Sequence, residues 1–75
     1  MTTPTFLGVC ATASDVSYWE PLTAQTLHQA KTQMTKMWHD YYRDATMRIG
    51  QVDHHGNVYT IASKTVRPTA RWISA

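Results

Sequence analysis

The chain has 75 residues, of which 43% are hydrophobic and 16% are charged, and its formal net charge is +2. Residues 1–75 therefore form a single domain, because two halves would each be too small to bury a stable core. The charge is too small for a polybasic nucleic-acid arm, and no apolar run approaches the roughly 20 residues that span a bilayer. The N-terminus lacks the basic region of a signal peptide, and the single cysteine, Cys10, excludes an intramolecular disulfide, so we expect a cytoplasmic protein.

The first predicted elements are two strands. Residues 5–12 are apolar or β-branched and uncharged, and they are bounded by Pro4 and Ser14, which is typical of a central strand. Residues 17–23 are also extended in composition, but Pro21 has no amide hydrogen to donate. The second segment is therefore predicted as a short strand at the edge of the sheet.

A helix is predicted next, over residues 27–42. Thr26 and Gln29 fit a capping box, in which the Thr26 hydroxyl accepts the Gln29 amide hydrogen while the Gln29 side chain returns to the Thr26 amide. Steps of three and four residues predict a buried stripe made of Leu27, Ala30, Met34, Met37, Trp38 and Tyr41. The polar face of the helix then carries Lys31, Thr32, Thr35, Lys36, His39 and Arg43.

The last third of the chain predicts a hairpin and a final strand. Residues 46–52 and 58–62 are rich in β-forming residues, and the five residues between them include Gly56 and Asn57, which tolerate positive φ. Residues 69–73 add a short strand after Pro68. The predicted fold class is α+β: an antiparallel sheet of four to five strands, in chain order β-β-α-β-β-β, with one amphipathic helix packed on one face.

The sequence offers no recognisable catalytic or metal-binding constellation. His54 and His55 are neighbours whose side chains should diverge on an extended backbone, and zinc needs three or four convergent ligands. Cys10 lies between Val9 and Ala11, in apolar surroundings that disfavour a reactive thiolate. The acidic residues are scattered, and the three glycines form no phosphate-binding loop. We therefore expect a protein that is not an enzyme, with no metal and no cofactor.

Positive charge is concentrated in the second part of the chain. All seven basic residues follow Ala30, where they face three acids, so that this segment carries 7 − 3 = +4. Lys31 and Lys36 project from the predicted helix, and further cations come from later segments at Arg48, Lys64, Arg67 and Arg71. Tyr59 or Trp72 could stack on a base if exposed. Such a face suggests an anionic partner, although cations also simply solvate the surface of small domains.

Three short segments in the same order resemble a small type I-F anti-CRISPR family carried by phages and mobile elements. They are residues 26–31 of the helix, residues 46–49 of the first hairpin strand and residues 71–73, so the resemblance spans about two thirds of the chain. It implies a sheet with one helix, no enzymatic activity, and binding to the backbone subunits of a crRNA-guided surveillance complex, which obstructs target DNA. Positions of the family that are polar or basic match Gln29, Lys31, Lys36 and Arg48. The sequence departs from the family at Thr32, where a further basic residue is expected.

Three functional hypotheses follow from these features. The leading one is a non-enzymatic inhibitor that binds a bacterial CRISPR effector complex, or a similar nucleic-acid-handling complex, in the host cytoplasm. Its expected partner-binding residues are Gln29, Lys31, Lys36, Arg48, Lys64 and Arg71. The second is direct, salt-dependent binding of DNA or RNA by the same cations. The third is a homodimeric regulatory protein assembled through an exposed strand edge or through Tyr18 and Trp19.

Overall fold

A computed structural model describes residues 5–11, 18–38, 45–67 and 70–74. One helix packs on one face of a five-stranded antiparallel sheet, which confirms the predicted α+β class and the order β-β-α-β-β-β. The elements are β1 Leu7–Ala11, β2 Glu20–Pro21, α1 Leu27–Trp38, β3 Thr46–Val52, β4 Val58–Thr65 and β5 Ile73–Ser74. Across the sheet the strands lie in the order β2-β1-β3-β4-β5.

The predicted bounds hold best in the middle of the chain. Strand β3 has the predicted limits, and β2 lies at the sheet edge as Pro21 indicates, although it is only two residues long. Strand β4 continues past its predicted end to Thr65, because Ser63, Lys64 and Thr65 pair with β3. Strand β5 begins at Ile73, later than predicted. The predicted continuation of the helix through residues 39–42, with His39 and Tyr41, lies outside the described residues, as do Arg43, Pro68 and Thr69.

The start of α1 is capped largely as predicted. The Gln29 N–H donates to the Thr26 hydroxyl at 3.2 Å. The Gln29 side chain, however, accepts the N–H of Gln25 at 3.0 Å rather than that of Thr26. Gln25 precedes the helix and its N–H has no helical acceptor, so this bond still satisfies an amide that the helix start leaves open.

The core lies between α1 and the central strands. Ala30 and Met34 are fully buried on the helix, and Met47 and Ile49 of β3 are buried opposite them. Gly8 of β1 leaves the space that Met34 fills, because a Cβ built at Gly8 would overlap the Met34 sulfur. Cys10, predicted as a core residue, is also buried.

Met37 departs from the predicted buried stripe. It lies in the last turn of α1 and remains 47% exposed, whereas Leu27 and Trp38 of the same stripe are partly buried against the core.

No helix in the described ranges is both long enough and apolar enough to cross a membrane.

The turn between β3 and β4 is organised by Asp53. Its carboxylate accepts the N–H of His55 at 2.8 Å and that of Asn57 at 3.0 Å, while its own N–H donates to the Asn57 carbonyl. Gly56 has the positive φ, at 86°, that the tight turn requires, and Asn57 does not share it. The predicted hairpin is confirmed, and a carboxylate that holds two amides is the local reason for its shape.

Candidate partner-binding groove

A groove of about 450 Å³ lies between α1 and the β4–β5 edge of the sheet. The helix contributes His28, Lys31, Thr32, Thr35 and Lys36, and the sheet side contributes Lys64 of β4 and Trp72, which immediately precedes β5. We call this set of residues the cationic groove. It brings together three of the six residues predicted to bind a partner, Lys31, Lys36 and Lys64.

Helical spacing explains why five side chains of α1 line one wall. They follow one another at alternating steps of three residues and one, which places them on one side of the helix, next to the buried stripe. The hydroxyls of Thr32 and Thr35 donate to the carbonyls of His28 and Lys31, at 3.1 and 2.8 Å. These hydroxyl hydrogens are used within the helix, and the lysines contribute the ammonium groups of the groove.

Lys64 reaches the groove because of the sheet register. It pairs directly with Met47, a core residue, and directly opposed residues of an antiparallel pair point to the same face. Lys64 is therefore on the helix side of the sheet, where it is half-buried and lines the groove.

Trp72 forms an apolar part of the groove wall. It is partly buried and packs against the core cluster, which fixes the position of its ring. An indole beside ammonium groups offers both a stacking surface and a cation-binding face. Sequence reasoning named Trp72 only as a residue that could stack if exposed, because its position depends on how β5 joins the sheet.

The electrostatic character of the groove is positive. The acidic side chains within the described ranges are Glu20, in the edge strand, and Asp53, in the hairpin turn, and neither lines the groove. Three lysines line one depression, and an anion placed beside them would be attracted by their charges. The groove is therefore suited to a negatively charged partner.

The other three predicted binding residues lie elsewhere. Arg48 pairs with Val9 and Ser63, between Met47 and Ile49, so its exposed side chain points away from the helix, on the opposite face of the sheet. Gln29 is exposed, but its side-chain oxygen caps the helix start. Arg71 is exposed beside Trp72 without lining the groove. Of the two strand cations expected to share a surface with the helix lysines, Lys64 lies on that surface and Arg48 does not.

His28, Thr32 and Thr35 belong to the groove but were not among the predicted binding residues. Their spacing in the sequence places them beside the helix lysines, since each lies three or four residues from Lys31 or Lys36. These neighbours shape the wall that holds the lysines.

The histidine pair in the hairpin turn differs from its prediction. The ring centroids of His54 and His55 are 4.0 Å apart and the rings are tilted by 42°, so the side chains do not diverge. The Asp53 turn folds the backbone here, whereas the prediction assumed an extended chain. Among the described residues, His, Cys, Asp and Glu form no group of three that could hold a metal ion.

Comparisons with models of protein families, with curated proteins and with solved structures gave no significant match. Functional inference therefore depends on the groove, on the chemistry of the residues that line it, and on the resemblance of three short sequence segments.

Proposed function

We propose that this protein is a non-enzymatic inhibitor that binds a CRISPR surveillance complex, or a similar nucleic-acid-handling complex, in the cytoplasm of a bacterial host and blocks binding of target DNA. The observation that carries the proposal is the convergence of Lys31, Lys36 and Lys64 around one groove with Trp72 in its wall. The resemblance of the helix and two strand segments to type I-F inhibitors supplies the identity of the partner.

The groove suits acidic side chains on the backbone subunits of such a complex. Its lysines come from a helix and a strand that pack on one core, so docking would order their side chains but little of the backbone. Charge complementarity accelerates encounter and sets orientation, and the partly buried indole of Trp72 provides an apolar contact in the groove wall. Inhibition would be steric, because the bound domain occupies space that the target strand needs.

Titration of the purified protein into a purified type I-F surveillance complex tests this proposal. We expect the fraction of labelled target DNA bound by the complex to fall as the protein is added, while the DNA and the guide RNA remain chemically intact. The DNA-bound fraction is read from gel shifts, and the integrity of both nucleic acids from denaturing gels. Unchanged target binding at a large molar excess of the protein would contradict the proposal for this complex.

Direct binding of single-stranded nucleic acid is a second candidate, and the position of Trp72 favours it. Stacking surfaces beside cations are the common means of holding single strands, and one stacked base contributes about 1–3 kcal/mol. Trp72 with Lys31 and Lys64 provides both parts within one groove.

A Trp72→Leu variant separates this candidate from protein binding. Leucine keeps apolar packing but cannot stack, so we expect affinity for a fluorescent oligonucleotide to fall by about tenfold, the lower part of the range for one stacked base. Trp19→Leu is the matched control, since Trp19 packs over Gly50 on the other face of the sheet and should leave affinity unchanged. Fluorescence anisotropy at low salt measures both. Absence of any binding by the wild type at low salt would contradict direct recognition.

A further inference from the structure

Lys31 and Lys64 line the cationic groove from its two walls, one from α1 and one from β4, and both are half-buried. Within the described ranges neither ammonium group has a hydrogen-bond or ion-pair partner. Both ammonium groups are accessible, since no buried side-chain nitrogen of the described residues lacks a partner. Two accessible cations on opposite walls of one depression point to an anionic ligand that contacts both walls.

The number of cations in the groove favours a doubly charged ligand. Lys36 is the third lysine, and His28 adds a ring that can donate a hydrogen bond. An internal phosphodiester of a strand carries one negative charge. A phosphomonoester carries about −1.5 to −2 at pH 7 and has three strong acceptor oxygens. Of the two, the phosphomonoester offers more to several lysines at once.

The groove also has an apolar surface that a bare phosphate would leave unused. Most of its lining is apolar, and Trp72, partly buried against the core, contributes an aromatic ring. The volume of about 450 Å³ lies within the roughly 300–1,000 Å³ of small-molecule sites. Aromatic rings bind nucleobases by stacking, whichever base is present. These features together favour a ligand that joins a planar ring to a phosphate.

An extended peptide fits this groove less well than a small molecule. Peptides commonly bind by adding a strand to an open sheet edge, but β5 already pairs with β4 at Ala62 and Ser63, beside Lys64. On the other wall, the N–H groups of α1 from Lys31 onward donate within the helix. The walls therefore offer a peptide few main-chain partners, whereas cations and an indole suffice for a nucleotide.

We propose that the cationic groove binds a nucleoside monophosphate, with its base against Trp72 and its phosphate among Lys31, Lys36 and Lys64. The nucleotide is either free or the phosphorylated end of a strand, since both present the same base and the same phosphomonoester. A strand held along its backbone is a different ligand, because its internal phosphates carry one charge each. The proposal stands independently of any inhibition of a surveillance complex.

Nuclear magnetic resonance of the isotope-labelled protein tests the proposal, because the indole N–H groups of the three tryptophans give separate signals. We expect adenosine monophosphate (AMP) to shift the Trp72 signal, which is identified by its absence from Trp72→Leu, with half-saturation at about 1 mM or below. Trp19 is the internal control, since it packs over Gly50 on the other face of the sheet. An unshifted Trp72 signal at about 10 mM AMP would overturn the proposal.

Related ligands separate the two parts of the proposed contact. Adenosine lacks the phosphate, cyclic AMP carries it as a singly charged diester, and ribose phosphate lacks the base. We expect each to bind about tenfold more weakly than AMP, the usual effect of losing one charged hydrogen bond or one stacked base. Equal affinities of AMP and adenosine, or of AMP and cyclic AMP, would overturn the assignment. Tighter binding of phenyl phosphate, an analogue of phosphotyrosine, would overturn it as well.

A Lys64→Met variant tests the sheet side of the groove. Methionine removes the charge and keeps a long side chain, so the affinity for AMP should fall by about tenfold. Arg48→Met is the matched control, because it removes one charge from the opposite face of the sheet and should leave the affinity unchanged. The dispersion of the amide signals verifies that both variants are folded. Equal losses for the two variants would contradict the placement of the phosphate.

An adenosine dinucleotide, with and without a terminal phosphate, distinguishes the two sources of the ligand. If the phosphorylated form binds more tightly than AMP, the ligand is the end of a strand, and if it binds more weakly, the ligand is a free nucleotide. Dinucleotides that bind equally with and without the phosphate would contradict the proposal. All of these measurements use the protein alone, so a failure here leaves the titration of the surveillance complex unaffected.

Discussion

Replacing Met34 with alanine is expected to lower the free energy of unfolding by about 2–5 kcal/mol, the usual cost of truncating a large buried side chain. Met34 has no exposed surface, and it is the helix residue whose sulfur fills the space above Gly8. A domain of this size has a total stability of only about 4–11 kcal/mol, at roughly 0.05–0.15 kcal/mol per residue. The Met34→Ala protein should therefore lose a large fraction of its total stability.

Met37→Ala is the matched control, because it makes the same chemical change three residues later on the same helix. Met37 is 47% exposed, so its truncation should cost no more than about 1 kcal/mol. Urea unfolding followed by circular dichroism measures both variants. Equal losses would mean that α1 does not pack on the sheet through Met34.

Gly8→Ala tests the cause from the other side of the contact. The new methyl group would overlap the Met34 sulfur and approach Leu22, so the single substitution should destabilise by about 1–3 kcal/mol. In the double variant Gly8→Ala/Met34→Ala the methyl group enters space that the sulfur has left. The combined loss should therefore be smaller than the sum of the two single losses.

The parts of the fold that the sequence predicts well are those set by neighbouring residues. The limits of β3, the Thr26–Gln29 cap and the hairpin turn are all decided within a few residues. Residue spacing along α1 likewise predicts that Lys31 and Lys36 share its polar side. Each of these features has a local physical cause, so a single sequence is enough to find it.

The position of Arg48 was also available from the sequence but was not used. It lies between Met47 and Ile49, and because side chains alternate along a strand, burial of those two residues directs Arg48 to the other face. The resemblance to the type I-F family placed it with the helix lysines. Strand alternation is the stronger constraint, since one face of β3 must cover the core.

The contributions of Lys64 and Trp72 to the groove depend on non-local pairing. A register irregularity between Ile49 and Gly50 changes which β4 residues face the helix, so alternation counted along β4 alone does not place Lys64. Trp72 is positioned by the pairing of β5 with Ala62 and Ser63. Neither register has a local sequence signal, and for this reason the groove as a whole could not be predicted.

Charge reversal within the groove is the second change from which we expect a large effect. The double variant Lys31→Glu/Lys36→Glu replaces two attractive contacts with repulsion toward an acidic partner. Truncating one member of a close interfacial charge pair typically costs 2–5 kcal/mol when it is buried, so the affinity for the surveillance complex should fall by about a hundredfold or more. Surface plasmon resonance against the immobilised complex measures this loss, and circular dichroism verifies that the variant is folded.

Arg48→Glu is the control for the single variant Lys36→Glu. Both residues are exposed and both substitutions change the net charge equally, but Arg48 lies on the opposite face of the sheet. Binding through the groove predicts a loss for Lys36→Glu and little change for Arg48→Glu. It also predicts that added salt weakens binding of the wild type more than that of the double variant, because salt screens the attraction that only the wild type retains. Equal losses for the two single variants would instead mean that overall charge, and not the groove formed by α1, Lys64 and Trp72, attracts the partner.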